Sequence, residues 1–177
     1  MPGYNTEADY ENAIIELFRN DLGYEYVYGP DVERDFKSPL YDSVLEESLY
    51  RLNKGLPADA INDALFKLRN FENGELVQKN AEFMEYLQSG IPVRYLEKGE
   101  ERSGIVYLAD YSHPENNSFI VSNQWTFIEN SNKRPDIILF LNGLPPPVRK
   151  RTLPRPIGSS GIICRKFRRC SFTTPSA

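Results

Sequence analysis

The sequence predicts a mixed α/β (α+β) domain, and three observations support this fold class. Hydrophobic residues make up 40% of the 177-residue chain, which is enough to build one core of ordinary size. Apolar residues recur at helical spacing through the first half of the chain. Short β-branched and aromatic segments dominate the part that follows. Helices followed by strands are typical of an α+β or mixed α/β domain.

Four helices are predicted in the first half of the chain. Thr6 and Asp9 have the spacing of a capping box, and apolar residues then recur every three or four positions, so the first helix is predicted over about 7–22. The other three helices are predicted from apolar faces that we interpret as core, at 44–52, 61–68 and 76–87.

Six strands are predicted from short segments that are rich in β-branched and aromatic residues and bounded by turn-forming residues. One lies between the first and second helices, and five follow the last helix. Their predicted ranges are 24–28, 93–96, 105–108, 119–121, 124–128 and 137–141.

The net charge of -4 divides into two unequal parts. Residues 1–144 hold all 25 acidic residues and 13 basic ones, whereas 145–177 hold 8 basic residues, none acidic, and 6 of the 13 prolines. We therefore predict one folded domain over 1–145 and a basic, Pro/Arg-rich, poorly ordered tail over 146–177, with at most a short extended piece at 157–164.

Several classes of function have no support in the sequence. No apolar run approaches the length of a membrane span, and the acidic N-terminus is unlike a signal peptide, so a cytoplasmic location without membrane contact is expected. Cys164 and Cys170 stand without further cysteines or a nearby histidine, so neither a disulfide framework nor a zinc site is expected. Phosphate-loop and dinucleotide-binding motifs are absent from the sequence.

Asp136 is the candidate for carboxylate chemistry. It follows Pro135 and opens the apolar run at 137–141, so it is expected at the start of a buried strand. Hard cations such as Mg²⁺ bind one or two carboxylates together with water and phosphate oxygens. From its position alone, Asp136 is either a metal ligand or an ordinary turn residue.

The stretch around Asp136 resembles the nuclease domain of the restriction subunit of type I restriction-modification enzymes. The resemblance covers residues 4–145. It rests on motifs that occur in the family's order: Tyr10-Glu11, Leu22-Gly23-Tyr24, Asn123-Gln124, Arg134-Pro135-Asp136 and Asn142-Gly143-Leu144-Pro145.

This resemblance implies a fold, an activity and partners. The fold would be that of PD-(D/E)xK restriction endonucleases, a sheet flanked by helices with a helical insertion after the first strand. The reaction would be Mg²⁺-dependent cleavage of double-stranded DNA, with Asp136 as the central metal ligand and Glu11 as the helix carboxylate. The partners would be methyltransferase and specificity subunits, and ATP would serve only the motor regions of full-length members.

The sequence departs from the family after Asp136. The family's next strand carries Glu-x-Lys, but no Asp or Glu follows Asp136 here, and Lys150 falls where that strand is expected. A frameshift near Pro146 or a selected basic arm that binds phosphates would each explain the tail. We expect the chain to cleave DNA poorly or not at all. A noncatalytic nucleic-acid-binding or assembly module, or a folded fragment without its own activity, is the alternative.

Overall fold

The computed structural model describes residues 6–71, 75–128, 132–133 and 135–146. These residues lie in the first of two units into which the chain divides, Met1–Pro147. The basic tail from residue 147 onward, including the extended piece predicted at 157–164, lies outside the described residues.

The described elements confirm a mixed α/β fold. They follow one another in this order: α1 Glu7–Glu16, β1 Glu25–Tyr28, α2 Asp42–Leu52, α3 Ala58–Arg69, α4 Leu76–Ser89, β2 Ile91–Glu97, β3 Glu100–Val106, β4 Phe119–Asn123, β5 Phe127–Ile128, β6 Asn132–Lys133 and β7 Ile137–Leu141.

The first helix begins at the predicted capping box. The Asp9 N–H donates to Thr6 Oγ1 over 3.3 Å, and the Thr6 N–H donates to Asp9 Oδ2 over 2.7 Å. This exchange satisfies two of the backbone groups that a helix start leaves unpaired. A π-helical turn, Leu17–Asp21, continues the helix to nearly the predicted end at residue 22.

A three-stranded sheet in the order β1-β4-β7 forms the centre of the fold. β4 lies in the middle, parallel to β1 and antiparallel to β7. In this register Asn123 pairs with Tyr28 on one side and with Ile137 on the other. The parallel pair needs a long crossover, which the chain supplies as α2, α3, α4 and the β2–β3 hairpin.

Side chains of the sheet alternate between its two faces, and each face packs against other apolar residues. On one face Val121 packs against Ile15 of α1 and Phe18 of the π-helical turn that continues it. On the other face Ile120 packs with Trp125 and Phe140. The α1 helix therefore covers one face of the sheet, and its inward residues lie directly over β4.

The crossover builds its own apolar core. Leucine, isoleucine, alanine and valine side chains of α2, α3, β2 and β3 fill this core, and Phe83, Tyr86 and Leu87 of α4 pack against it. The apolar faces predicted for the second and third helices are therefore core, as expected. Among the described helices, none combines the length and apolar composition that a membrane span requires.

Two strand predictions need correction. The segment predicted as a strand at 124–128 forms strand only at Phe127–Ile128, because Gln124 adopts a left-handed conformation (φ 55°) that ends β4. The strand predicted at 105–108 is β3, which ends at Val106 and begins earlier because Glu100–Val106 pairs along its length with β2. The strand at 137–141 has the predicted bounds.

Candidate active site at one end of the sheet

The candidate site lies where β1 and β4 end and β7 begins. Asn123 is the last residue of β4, and its antiparallel partner Ile137 is the first residue of β7. Asp136 precedes Ile137 and is therefore at this end of the sheet. The Gln124 N–H donates to the Asp136 carbonyl over 3.3 Å, which holds the two loops together.

Glu11 reaches the same end of the sheet from α1. It lies one helical turn before Ile15, whose side chain packs with Phe18 against Val121, so Glu11 is on the inward face of the helix. Its Oε1 accepts a hydrogen bond from Asn123 Nδ2 over 2.7 Å. Glu11 is therefore joined through its carboxylate to Asn123, the last residue of β4, and Asp136 through its backbone carbonyl to the next residue, Gln124.

Two tyrosines on β1 bind the side-chain amides at the end of β4. Tyr26 Oη donates to Asn123 Oδ1 over 2.9 Å, and Tyr28 Oη donates to Gln124 Oε1 over 3.2 Å. Burial, with smaller contributions from nearby Tyr28 and Glu11, raises the pKa of Tyr26 above its ordinary value of 10.0. The Tyr26 phenol is therefore a protonated donor at neutral pH.

The turn after β4 is held by close backbone contact. A Cβ added at Gly29 would lie 2.7 Å from the Asn123 carbonyl oxygen and 3.0 Å from that of Gln124. Real Cβ atoms do not approach backbone atoms this closely, so a side chain at Gly29 would displace the loop. Glycine at the end of β1 thus allows the site loop to pack against that strand.

Arg34 supports this turn from the other side. Its guanidinium carbon lies 3.9 Å from the centroid of the fully buried Trp125 ring and 4.7 Å from that of Phe36. Arg34 Nη2 donates to the Thr126 carbonyl, and burial lowers the pKa of the guanidinium. Among the residues that the structure describes, Arg34 Nε, Arg34 Nη1 and Trp125 Nε1 are buried and have no hydrogen-bond partner.

The carboxylates at this end are few. In the described ranges, no group of three or more His, Cys, Asp or Glu side chains is placed to hold a metal ion. Mg²⁺ takes one or two carboxylates and keeps water or phosphate oxygens for its other positions. Half-buried Glu11 and exposed Asp136 fit that requirement. Two further residues that could belong to the site lie outside the described residues. They are Glu129, the acidic residue before Asp136 in the sequence, and Lys150.

The Asn142-Gly143-Leu144 motif lies at the opposite end of β7 and has a structural role. Asn142 is fully buried, with Nδ2 donating to the Leu108 carbonyl over 2.9 Å and Oδ1 accepting from the Ser118 N–H over 2.7 Å. The Gly143 carbonyl accepts a bond from the Tyr41 N–H next to α2. This motif joins the sheet to the crossover and does not contribute side chains to the Glu11 end.

The structure brings Glu11 and the Asp136 backbone to the same end of the sheet, and it adds residues that sequence patterns do not single out. Tyr26, which binds Asn123 beside Glu11, is predicted only as part of a strand, and Arg34 has no predicted role. Tyr26 and Tyr28 alternate on β1 and share a face, but the partner strand is about a hundred residues away. Only the parallel pairing of β1 with β4 brings the tyrosines to the two amides.

The fold and this site define the class of the molecule: a mixed α/β protein with Glu11 and Asp136 at one end of a central sheet. Residues 4–146 match the family described as type I restriction enzyme R protein N terminus, and the chain belongs to that family. The resemblance predicted from the sequence motifs is thereby confirmed.

Curated relatives support the same assignment. The chain is 32% identical over 171 residues to the type I restriction enzyme HindI endonuclease subunit of Haemophilus influenzae, a match covering 91% of this chain and 16% of that protein. It is 27% identical over 151 residues to the putative type I restriction enzyme MjaIXP endonuclease subunit of Methanocaldococcus jannaschii, covering 80% and 14%. The chain thus spans no more than 16% of the length of these relatives.

Proposed function

We propose that this chain is the nuclease region of a type I restriction subunit and that its site takes part in Mg²⁺-dependent cleavage of double-stranded DNA. One observation carries the proposal. Glu11 and Asp136 are 125 positions apart in the sequence, yet the Glu11 carboxylate is bonded to Asn123 and the Asp136 backbone carbonyl to the adjacent Gln124, at one end of the sheet.

The residues of the site would have separate roles in binding the cation. Glu11 and Asp136 would hold the cation, and Asn123 would keep the Glu11 carboxylate in place. Mg²⁺ at such a site polarises a phosphate and lowers the pKa of the attacking water. We further propose that methyltransferase and specificity subunits act with this chain in a cytoplasmic complex, and that any ATP chemistry lies in other parts of the restriction subunit.

The site is incomplete in the sequence itself. No acidic residue follows Asp136 in this sequence, so residues 137–177 do not supply the Glu-x-Lys half that the family places on the next strand. Lysine in that position would stabilise the charge that develops on the phosphate. We therefore propose that this chain by itself cleaves DNA slowly or not at all.

The 177-residue chain should not cleave DNA by itself. Supercoiled plasmid incubated with the protein and Mg²⁺ should show no nicking above the background without protein. Conversion of supercoiled to open-circular DNA on an agarose gel measures this. The fraction of open-circular DNA should be the same for the wild type, Glu11→Gln and Asp136→Asn. Asp63→Asn, which changes a carboxylate in the crossover, is the control.

Two outcomes would contradict these statements in different ways. Nicking that requires Mg²⁺ and is abolished by Asp136→Asn would show that another group, such as Glu129, completes the site. Nicking by purified protein that persists in both the Glu11 and Asp136 variants would remove the proposed metal site.

A second candidate function rests on the charge of the tail. Eight basic residues without an acidic one favour sequence-independent contacts with phosphates, whose affinity falls steeply with salt.

The alternative origin of the tail, a frameshift near Pro146, is tested by reading the coding DNA beyond codon 145 in all frames for a Glu-x-Lys strand. The match to the Haemophilus relative covers more of the chain than residues 1–145, so it extends into the tail.

Deletion of 146–177 tests the second candidate. If the tail binds DNA, the full chain should bind an unrelated duplex, the deletion should abolish binding, and Asp136→Asn should leave it intact. Electrophoretic mobility shifts at rising salt concentration measure this. Binding that survives the deletion would exclude the tail as the contact surface.

A further inference from the structure

A continuous chain of hydrogen bonds leads from β1 to the helix carboxylate. Tyr26 Oη donates to Asn123 Oδ1 over 2.9 Å, and Asn123 Nδ2 donates to Glu11 Oε1 over 2.7 Å. A carboxamide has one acceptor end and one donor end. If the Asn123 amide were reversed, its carbonyl oxygen would face the Glu11 carboxylate, and two acceptors would meet without a proton between them.

The surroundings leave the amide little freedom. Asn123 is 9% exposed and belongs to the central strand of the sheet, so its backbone is held by strands on both sides. Tyr26 lies on the neighbouring parallel strand, two residues before the position paired with Asn123. The three side chains thus come from α1, β1 and β4, and the sheet register sets their spacing.

We propose that Asn123 is a positioning residue for Glu11 and that Tyr26, by donating to Asn123 Oδ1, holds the Asn123 side chain in place. By occupying Oε1, Asn123 holds the carboxylate so that Oε2 is presented to a divalent cation at the end of the sheet. This inference rests on the proposed function in taking Glu11 as a metal ligand. Groups that orient a metal ligand commonly change affinity by tenfold or more when they are removed.

Metal affinity of the complete chain is the first test. Mn²⁺ is the probe, titrated calorimetrically into the wild type and into Tyr26→Phe, which removes one hydroxyl group from the hydrogen-bond chain. Tyr26→Phe should weaken Mn²⁺ binding about tenfold. Asn123→Ala should weaken it at least as much, because it removes the donor to Glu11 itself.

Tyr28→Phe is the matched control. Tyr28 lies on the same strand, and its hydroxyl donates to the neighbouring amide of Gln124 over 3.2 Å. Among the described residues, the Tyr28 side chain makes no hydrogen bond to Glu11 or Asn123. Tyr28→Phe should change Mn²⁺ affinity by no more than about twofold. Thermal denaturation of each variant checks that the fold is retained.

The outcomes separate the two proposals. If Glu11→Gln weakens Mn²⁺ binding but Tyr26→Phe and Asn123→Ala do not, the positioning role is overturned while the metal site stands. If the wild type does not bind Mn²⁺, or if Glu11→Gln has no effect on binding, the assignment of Glu11 as a metal ligand fails. The hydrogen-bond chain from Tyr26 to Glu11 is then tested by an experiment that needs no metal.

The metal-free test is a double-mutant cycle with Tyr26→Phe and Glu11→Gln, read from urea unfolding. The two side chains are joined through Asn123, so their effects on the unfolding equilibrium constant should be non-additive by about twofold or more. This coupling should vanish in an Asn123→Ala background. Additive effects, or coupling that survives Asn123→Ala, would overturn the proposal.

Discussion

Arg34 contributes to the site through packing, although it lies in a loop between β1 and α2. Its guanidinium covers the face of Trp125, the one tryptophan of the chain, and bonds the Thr126 carbonyl. A cation over an aromatic face contributes about 0.5–2 kcal/mol. Nε and Nη1, which have no partner in the part of the chain that the structure describes, oppose this contribution because burying a donor without a partner costs about 1–3 kcal/mol each.

These opposing terms make a prediction for two substitutions. Arg34→Met keeps a long chain over Trp125 and removes the unpaired donors, so the free energy of unfolding should stay within about 1 kcal/mol of wild type. Arg34→Ala leaves a gap against the ring and should lower it by about 2 kcal/mol. Urea unfolding followed by Trp125 fluorescence measures both. A Met variant as unstable as the Ala variant would show that the charge dominates.

At the level of single residues, Glu11 and Asp136 are predicted from motifs that are local in sequence, and their role as metal ligands stays a prediction. Asn123 was also marked by its motif, but without a role. Tyr26 was not predictable as its partner, since the bond depends on register between strands that are far apart in the chain. Arg34 gave no signal because one arginine in a polar loop is ordinarily exposed.

Among the elements, β7 connects the site to the rest of the fold. Its first residue, Ile137, lies at the Glu11 end, and its last, Leu141, leads into the buried Asn142-Gly143 turn. Gly143 has φ 80°, and a Cβ there would lie 2.6 Å from both the Tyr41 carbonyl oxygen and the Leu45 amide nitrogen. The turn thus fits against α2 only without a side chain.

Gly143→Ala should destabilise the protein by about 3 kcal/mol, because the added methyl group would meet backbone atoms that cannot move independently. Gly99→Ala is the matched control. Gly99 also has a positive φ, 86°, but nothing lies within 4 Å of its added Cβ, so it should cost about 1 kcal/mol. Equal losses in thermal unfolding would contradict the close contact at Gly143.

Strand boundaries show how far local patterns reach. The strand at 137–141 was predicted at its observed bounds because five consecutive apolar residues fit a strand that is covered on both faces. The strand predicted at 124–128 was wrong at its start, because the positive φ of Gln124 comes from packing against Gly29 and Asp136 rather than from a glycine in the sequence. Composition alone does not reveal such a turn.

At the scale of the whole molecule, the long crossover explains the arrangement of the site. It separates β1 from β4 in sequence, forms its own core, and returns the chain so that the two strands pair in parallel. The fold class and the helices were predictable from periodicity. The sheet order was not, because several pairings of six short strands satisfy the same apolar pattern.

The proposed cation site at this end of the sheet contains both Glu11 and Asp136. Mn²⁺ is paramagnetic and broadens the NMR signals of nearby amides, so adding it to the 177-residue chain tests the location directly. Broadening should be strongest at Glu11, Asn123, Gln124 and Asp136, clearly weaker at Asn142, and reduced by Glu11→Gln and Asp136→Asn. Broadening centred elsewhere, or unchanged in both variants, would exclude a cation site formed by these two residues.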